Sequence, residues 1–139
     1  MTTTGETDLT RLLSSLHPVQ QPGHYVFCTQ PTLAGLDLSQ CAGWFREPEG
    51  YTLILPQPAA DQLGLPYTYV AAWLTLRVHS ALEAVGLTAA VAGALTAVGI
   101  SCNVVAAFYH DHIFVAAADA DRALAALQQL SNQSSNPYS

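Results

Sequence analysis

The order of predicted elements in the second half of the chain limits the fold more than any other feature. Every second residue from Val70 to Val78 is aliphatic, and aromatic, polar or charged residues lie between most of them. This alternation over Tyr69–His79 predicts a strand with one buried face. Apolar residues every three or four positions then predict a helix over Gly86–Val98, closed by Gly99. Two further strands are predicted at Cys102–Tyr109 and His112–Ala116.

A tight turn at His110 and Asp111 is predicted between these two strands, and Asp119 is predicted to cap a last helix. The series is therefore β-α-β-β-α. A ferredoxin-like unit (βαββαβ) requires a fourth strand after the second helix, and the polar C-terminal residues do not provide one. We therefore expect a strand from the first half of the chain to pair with the open sheet edge.

The first half predicts elements that could provide this strand. The stretch "TDLTRLLSSL" predicts a helix capped by Thr7 or Asp8, which the prolines of "HPVQQPG" end. "HYVFCT" predicts a strand, and "GWFREPEGYTLILP" predicts a hairpin whose turn contains Pro48 and Gly50. "QPAADQLGLP" predicts one helical turn at most, closed by Gly64.

These elements predict an α+β fold of two interlocked subdomains with antiparallel sheets. The expected division is residues 1–66, residues 67–131 and a flexible tail at 132–139. Because one subdomain takes a strand from the other, cutting the chain near Pro66 should not give two stable pieces.

Charge and composition exclude several classes of partner. All four basic residues are arginines, and ten carboxylates give a net charge of −6, which disfavours binding to phosphate backbones and anionic lipid. Half of the residues are hydrophobic and only 10% are charged, which favours a homodimer that covers apolar surface. No membrane span or secretory signal is predicted, and three cysteines without CxxC spacing indicate a cytoplasmic protein with unreactive thiols.

The second-half motifs resemble the ACT domain, in the form found in small stand-alone bacterial proteins. The residues that carry the resemblance are Val78–Ser80, Gly86–Leu87, Leu95–Ser101 and Asp111–Val115. "FREPEGYTLILP" is similar to the preceding, more degenerate ACT repeat, so the resemblance implies two ferredoxin-like ACT subdomains. It also implies amino-acid binding between ACT units, although Val85 stands where many ACT domains have proline.

The stretch "SALEAVGLTAAV" predicts where such a ligand would bind. Ser80 and Glu83 have the spacing of a capping box, yet Gly86 interrupts the helix that they begin. A new helix starting at Gly86 would expose unpaired amides of Gly86, Leu87 and Thr88, which favour a carboxylate. Either Glu83 or Asp111 could then bind an ammonium group. The predicted ligand-binding residues are His79, Ser80, Glu83, Val85, Gly86, Leu87, Thr88 and Asp111.

Other interpretations remain open at this point. Gly86 could serve only to let helix and sheet pack closely, which would leave a structural dimerisation module without a ligand. His79, His110 and His112 could form a metal site with a minor enzymatic activity if they converged. We expect neither metal nor cofactor and no catalysis, because the sequence contains no nucleophile elbow, phosphate loop or metalloprotease helix.

Overall fold

The computed structural model describes residues 5–77 and 85–135 of the 139-residue chain. Within these residues the protein has an α+β fold in which seven antiparallel strands form one curled sheet. The order across the sheet is β3-β4-β2-β5-β7-β6, and β1 pairs with β5 in addition. The strands are β1 His17–Gln20, β2 Tyr25–Gln30, β3 Gly43–Glu47, β4 Gly50–Pro56, β5 Val70–Arg77, β6 Asn103–Ala106 and β7 Asp111–Ala116. The helices are α1 Gly5–Ser14, α2 Gln57–Leu63, α3 Leu87–Ala97 and α4 Ala120–Ser135.

The two halves of the chain join along one side of β5, which we call the seam. There β2 pairs with the first residues of β5 and β1 pairs with the last four, from His17 opposite Arg77 to Gln20 opposite Leu74. The expected strand from the first half is therefore confirmed. The pairing of β1 with β5 was not predicted, because Pro18 indicated a loop at this position. Proline is tolerated here because β5 is the only strand that β1 pairs with in the described sheet.

The two hairpins differ in how well the sequence predicted them. Glu47 pairs with Gly50 across a two-residue loop, which confirms the first hairpin. The predicted turn at His110 and Asp111 is wrong, because Ala106 pairs with Asp111 and the loop is Ala107–His110. Buried residues at 113–115 set this register, and it places Asp111 inside the sheet rather than at the turn.

The helices follow the predicted order, with different lengths. Helix α2 has seven residues rather than a single turn, and α1 starts at Gly5, before both predicted caps. Helix α4 continues to Ser135, because Ser131 is buried and its hydroxyl donates a hydrogen bond to the Ser14 carbonyl. Val98, the last residue of the predicted helix, is exposed, and Ile100 is buried in the core instead. No helix within residues 5–77 and 85–135 is long and apolar enough to cross a membrane.

The main hydrophobic core lies between the sheet and helices α1, α3 and α4. This core includes Leu74 and Leu76 of β5, Leu87 of α3 and Leu127 of α4. A smaller core packs β2 and β4 against Ala60 of α2. The opposite face of the sheet carries an aromatic cluster in which Phe114 is almost fully buried. The partly buried members of this cluster are Tyr25, Phe27, Tyr69 and Trp73.

Candidate functional site

The candidate site is built around the first turn of α3. Gly86 is the N-terminal cap of this helix, with φ of 89°, and no side chain forms a capping hydrogen bond to the turn. The Gly86 carbonyl accepts a hydrogen bond from the Ala90 amide at 2.9 Å, as expected at a helix start. Over residues 5–77 and 85–135, no acceptor is found for the amides of Gly86, Leu87 and Thr88. These amides are therefore available to an anion.

Gly86 also has a packing role. A Cβ atom at this position would lie 3.1 Å from Cδ2 of Leu9, which belongs to α1. In addition, a positive φ of this size is rarely adopted by residues with a side chain. Close packing of α1 on α3, rather than the expected packing of helix on sheet, thus explains the glycine without any ligand, so a purely structural role for Gly86 keeps its support.

Asp111 is the most unusual polar residue of the described site. It is only 3% exposed, and its Oδ1 atom has no hydrogen-bond partner in the described part of the chain. Burial raises the pKa of this carboxyl above its ordinary value of 3.8. A buried carboxylate without a partner costs free energy, so it is expected mainly where function requires it.

Sheet register places Asp111 on the side of the sheet that α3 covers. Asp111 pairs with Leu76, one residue before β5 ends, and directly opposed residues share a face. Leu76 and Leu87 belong to the same buried cluster, which fills the space between this face of the sheet and the helices. The unpaired carboxylate therefore lies on the face that the helices cover, opposite the penultimate residue of β5, and α3 is the next described helix along the chain.

The remaining predicted site residues have different positions. His79, Ser80 and Glu83 lie outside the described residues. Val85 is 82% exposed, whereas the side chain of Leu87 is buried in the core, so Leu87 can offer a ligand only its amide. Thr88 is exposed, so its hydroxyl can reach a ligand at the helix start.

The described histidines show no metal site. His112 is held by hydrogen bonds from Trp73 and Thr75, and its ring centroid lies 6.5 Å from that of His110. Within the described ranges, no group of three metal-binding side chains could hold an ion. Cys102 packs against the core, and burial raises the pKa of its thiol to about 11.

Two open clefts lie on the first half of the chain, away from α3. One, of about 470 Å³, is lined by residues of the β3–β4 hairpin and Leu33. The other, of about 350 Å³, is lined by residues of β2, β4 and the segment at 66–68. Neither cleft contains a buried charged group without a partner, so the chemistry favours the α3 site.

Comparison with known families agrees with this fold. Two matches, both described as ACT domain, cover residues 4–72 and 69–129. A crystal structure of a Vibrio cholerae protein of unknown function, described as a possible transport protein, is 46% identical. The match covers 92% of this chain and 99% of that one, with a TM-score of 0.82. The chain therefore belongs to the ACT domain family, and it carries two ACT domains in tandem.

More distant structures share the fold. An Agrobacterium tumefaciens protein matches with a TM-score of 0.63 at 17% identity, covering 84% of this chain and 89% of that one. The regulatory subunit of aspartate kinase from Thermus thermophilus, in its ligand-free form, matches with a TM-score of 0.59 at 12% identity. That match covers 81% of this chain and 95% of the subunit. No match is found among curated proteins.

Proposed function

We propose that this protein is a non-catalytic regulatory protein that binds an amino acid, or a similar small zwitterion, at the start of α3. The observation that carries the proposal is the buried, unpaired carboxylate of Asp111 on the α3 side of the sheet. Membership of a family of regulatory modules supports the same conclusion.

The two ends of a zwitterion match the two halves of the site. The free amides of Gly86, Leu87 and Thr88 carry the partial positive charge of a helix N-terminus and favour the ligand carboxylate. Asp111 provides the negative charge for the ammonium group, and pairing would offset its cost of burial. Glu83, Ser80 and His79 are the further predicted ligand contacts, and Val85 borders the same loop.

Ligand binding would act through the sheet. Asp111 begins β7, which pairs with β5 over six residues, and β5 in turn carries the seam. A ligand that orders the start of β7 therefore favours one arrangement of both ACT domains, and this is how binding becomes regulation. We infer a cytoplasmic homodimer as the form in which this occurs.

A thermal-shift screen against each of the twenty common amino acids tests the proposal. A bound amino acid at a hundredfold excess over its Kd should stabilise the protein by about 2.7 kcal/mol. The N-acetylated and the C-amidated forms of any hit should each lose most of this shift, because each lacks one of the two charges. Asp111→Asn should remove the response to the free amino acid.

One observation favours a second candidate, a structural dimerisation module without a ligand. The packing of Leu9 against Gly86 explains the glycine by itself. This candidate predicts no shift with any of the twenty amino acids and an unchanged dimer in their presence. A shift that survives in Asp111→Asn would also contradict the proposed site, because the ammonium partner would then lie elsewhere.

A further inference from the structure

His112 is the centre of a hydrogen-bonded group on the face of the sheet that carries the aromatic cluster. The indole Nε1 of Trp73 lies 3.0 Å from His112 Nδ1, and the hydroxyl of Thr75 lies 3.1 Å from the same nitrogen. Gln21 donates a hydrogen bond from Nε2 to the Thr75 hydroxyl at 2.9 Å. We call these four residues the His112 cluster.

The donors of the His112 cluster fix the protonation state of the imidazole. An indole N–H can only donate, so His112 Nδ1 must accept. The Thr75 hydroxyl accepts from Gln21 and is free to donate its own proton to Nδ1. A ring nitrogen that accepts carries no proton, so His112 is neutral with its proton on Nε2.

The cluster spans the seam. Gln21 directly follows β1, Trp73 and Thr75 belong to β5, and His112 belongs to β7. The backbone amide of Gln21 also donates to the Trp73 carbonyl at 2.8 Å. Trp73 and Thr75 of β5 therefore contact His112 of β7 directly and Gln21 of the N-terminal segment on the other side, so the cluster links three segments of the chain through β5.

We propose that His112 is a pH-sensitive switch beside the seam, in which the neutral ring holds Trp73 and Thr75 of β5 and protonation of Nδ1 releases the Trp73 indole. A proton on Nδ1 would leave the indole N–H of Trp73, which can only donate, without its acceptor, whereas the Thr75 hydroxyl can turn and accept from the protonated nitrogen. The switch acts on the side of the sheet opposite to Asp111, so it does not depend on the ligand site.

The groups around His112 favour its neutral form. Burial lowers its pKa below 6.5, and the neighbouring His110 lowers it further when charged. Arg77 lies on the same face as Thr75, two residues further along β5, and pairs with His17 of β1. Tyr25 packs edge-on against Trp73. Within residues 5–77 and 85–135 no carboxylate forms an ion pair with His112.

These shifts define the direction of the pH effect. A histidine with a lowered folded-state pKa contributes stability that is present above its unfolded value of 6.5. That contribution is lost as the pH falls through the folded value. The His112 cluster is therefore held together at neutral pH and loosened under acidic conditions.

Tryptophan fluorescence of the full chain tests the switch. In a Trp44→Phe background Trp73 is the remaining tryptophan, because the chain has two. On acid titration from about pH 7.5 to about pH 4.5, its accessibility to acrylamide should rise reversibly with a midpoint below 6.5, while the far-ultraviolet circular dichroism is retained. Acrylamide quenching is the readout because protonated imidazole alone can quench indole emission.

Two variants decide the origin of this transition. His112→Asn keeps an acceptor near the Nδ1 position but does not titrate, so the transition should disappear. His110→Asn should keep the transition and move its midpoint upward, because one neighbouring charge is removed. The exposed His24→Gln is a matched control that should change nothing.

An accessibility of Trp73 that does not change with pH, or a transition that persists unchanged in His112→Asn, would overturn the proposal. If His112→Asn does not fold, nitrogen-15 spectra of the Trp44→Phe protein decide instead. The switch requires the Nε2–H form of His112 at neutral pH and an indole N–H signal that moves with the same midpoint. An Nδ1–H form would overturn it.

Discussion

Gly86 and Leu9 are in such close contact that a Cβ atom added to Gly86 would force the Leu9 side chain to shift. A Cβ at Gly86 would lie 3.1 Å from Cδ2 of Leu9, so the start of α3 is fitted to the side of α1. The backbone of Gly86, with φ of 89°, bends the chain into the helix at the same point. The residue that exposes the amides of the site is therefore also a structural residue.

Substitution of Gly86 should destabilise the protein even without a ligand. Gly86→Ala forces a side chain into a left-handed backbone conformation, which costs about 1–2 kcal/mol, and brings it against Leu9. Gly93→Ala, in the middle of the same helix with open space around it, should instead stabilise by up to about 1 kcal/mol. Urea unfolding of both variants measures the difference. Equal stability of the two variants would contradict the contact.

Asp111→Asn should stabilise the ligand-free protein at neutral pH. The raised pKa of Asp111 means that the folded state binds more protons than the unfolded state above the ordinary value of 3.8. The wild type therefore loses stability as the pH rises through the folded pKa of Asp111, and the amide does not. The advantage of Asp111→Asn should grow from pH 3 to pH 7 in thermal unfolding, while the response to an amino acid is lost.

A control with an exposed acid separates this effect from general charge reduction. Asp121→Asn, near the start of α4, removes the same charge from an exposed side chain. It should not reproduce the rising advantage. If Asp111→Asn is less stable than the wild type at neutral pH, then Asp111 has a favourable partner and the site proposed here is wrong.

Cys102 should react slowly with alkylating reagents. With its pKa raised to about 11 by burial, about one thiol in a thousand is ionised at pH 8, and only the thiolate is a nucleophile. Cys41 and Cys102 are both partly exposed, but burial raises the pKa of Cys102 further, so Cys41 should be modified before Cys102. Mass spectrometry of the peptides after timed alkylation gives the order. Modification of Cys102 as fast as in the urea-unfolded chain would contradict its burial.

A fragment of residues 67–139 should not fold. It lacks β1, which pairs with β5, and α1, which packs against α4, so both an edge of its sheet and part of its core would be exposed. Size-exclusion chromatography and circular dichroism of the fragment should show aggregation or a disordered chain. Adding residues 1–66 as a separate chain should restore structure. A monomeric, cooperatively folding fragment would contradict the interlocked arrangement.

The sequence predicted the fold well where the pattern was regular. The alternation in β5 and the spacing of Leu87, Val91 and Leu95 were both correct, because each element buries one face in a single core. The missing fourth strand was also predicted correctly from topology. The division near residue 66 stays a prediction, and the two ACT matches overlap at residues 69–72.

Errors occurred where tertiary contacts override local preference. The strand-forming pair Phe108 and Tyr109 indicated a continuing strand, yet both are over 70% exposed at the tip of the hairpin loop. Strand β1 was missed because its pairing with β5 compensates for Pro18. The His112 cluster was missed for a similar reason, because its four residues come from distant parts of the chain.

The candidate site could be predicted only in part. The helix start at Gly86 was predicted, and α3 begins at Leu87 with Gly86 as its N-terminal cap, while the binding of a ligand by these amides stays a prediction. The deep burial of Asp111 was not predicted, because its place in β7 depends on a register that local sequence does not reveal. His79, Ser80 and Glu83 stay predictions.

The seam has a consequence for the order in which the chain folds during synthesis. Helix α1 and strand β1 leave the ribosome first, yet their partners are β5 and the final helix α4, which Ser131 ties to Ser14. These two elements therefore stay unpaired until β5 and α4 have been synthesised. Because the contacts join residues far apart in the chain, folding should be slow.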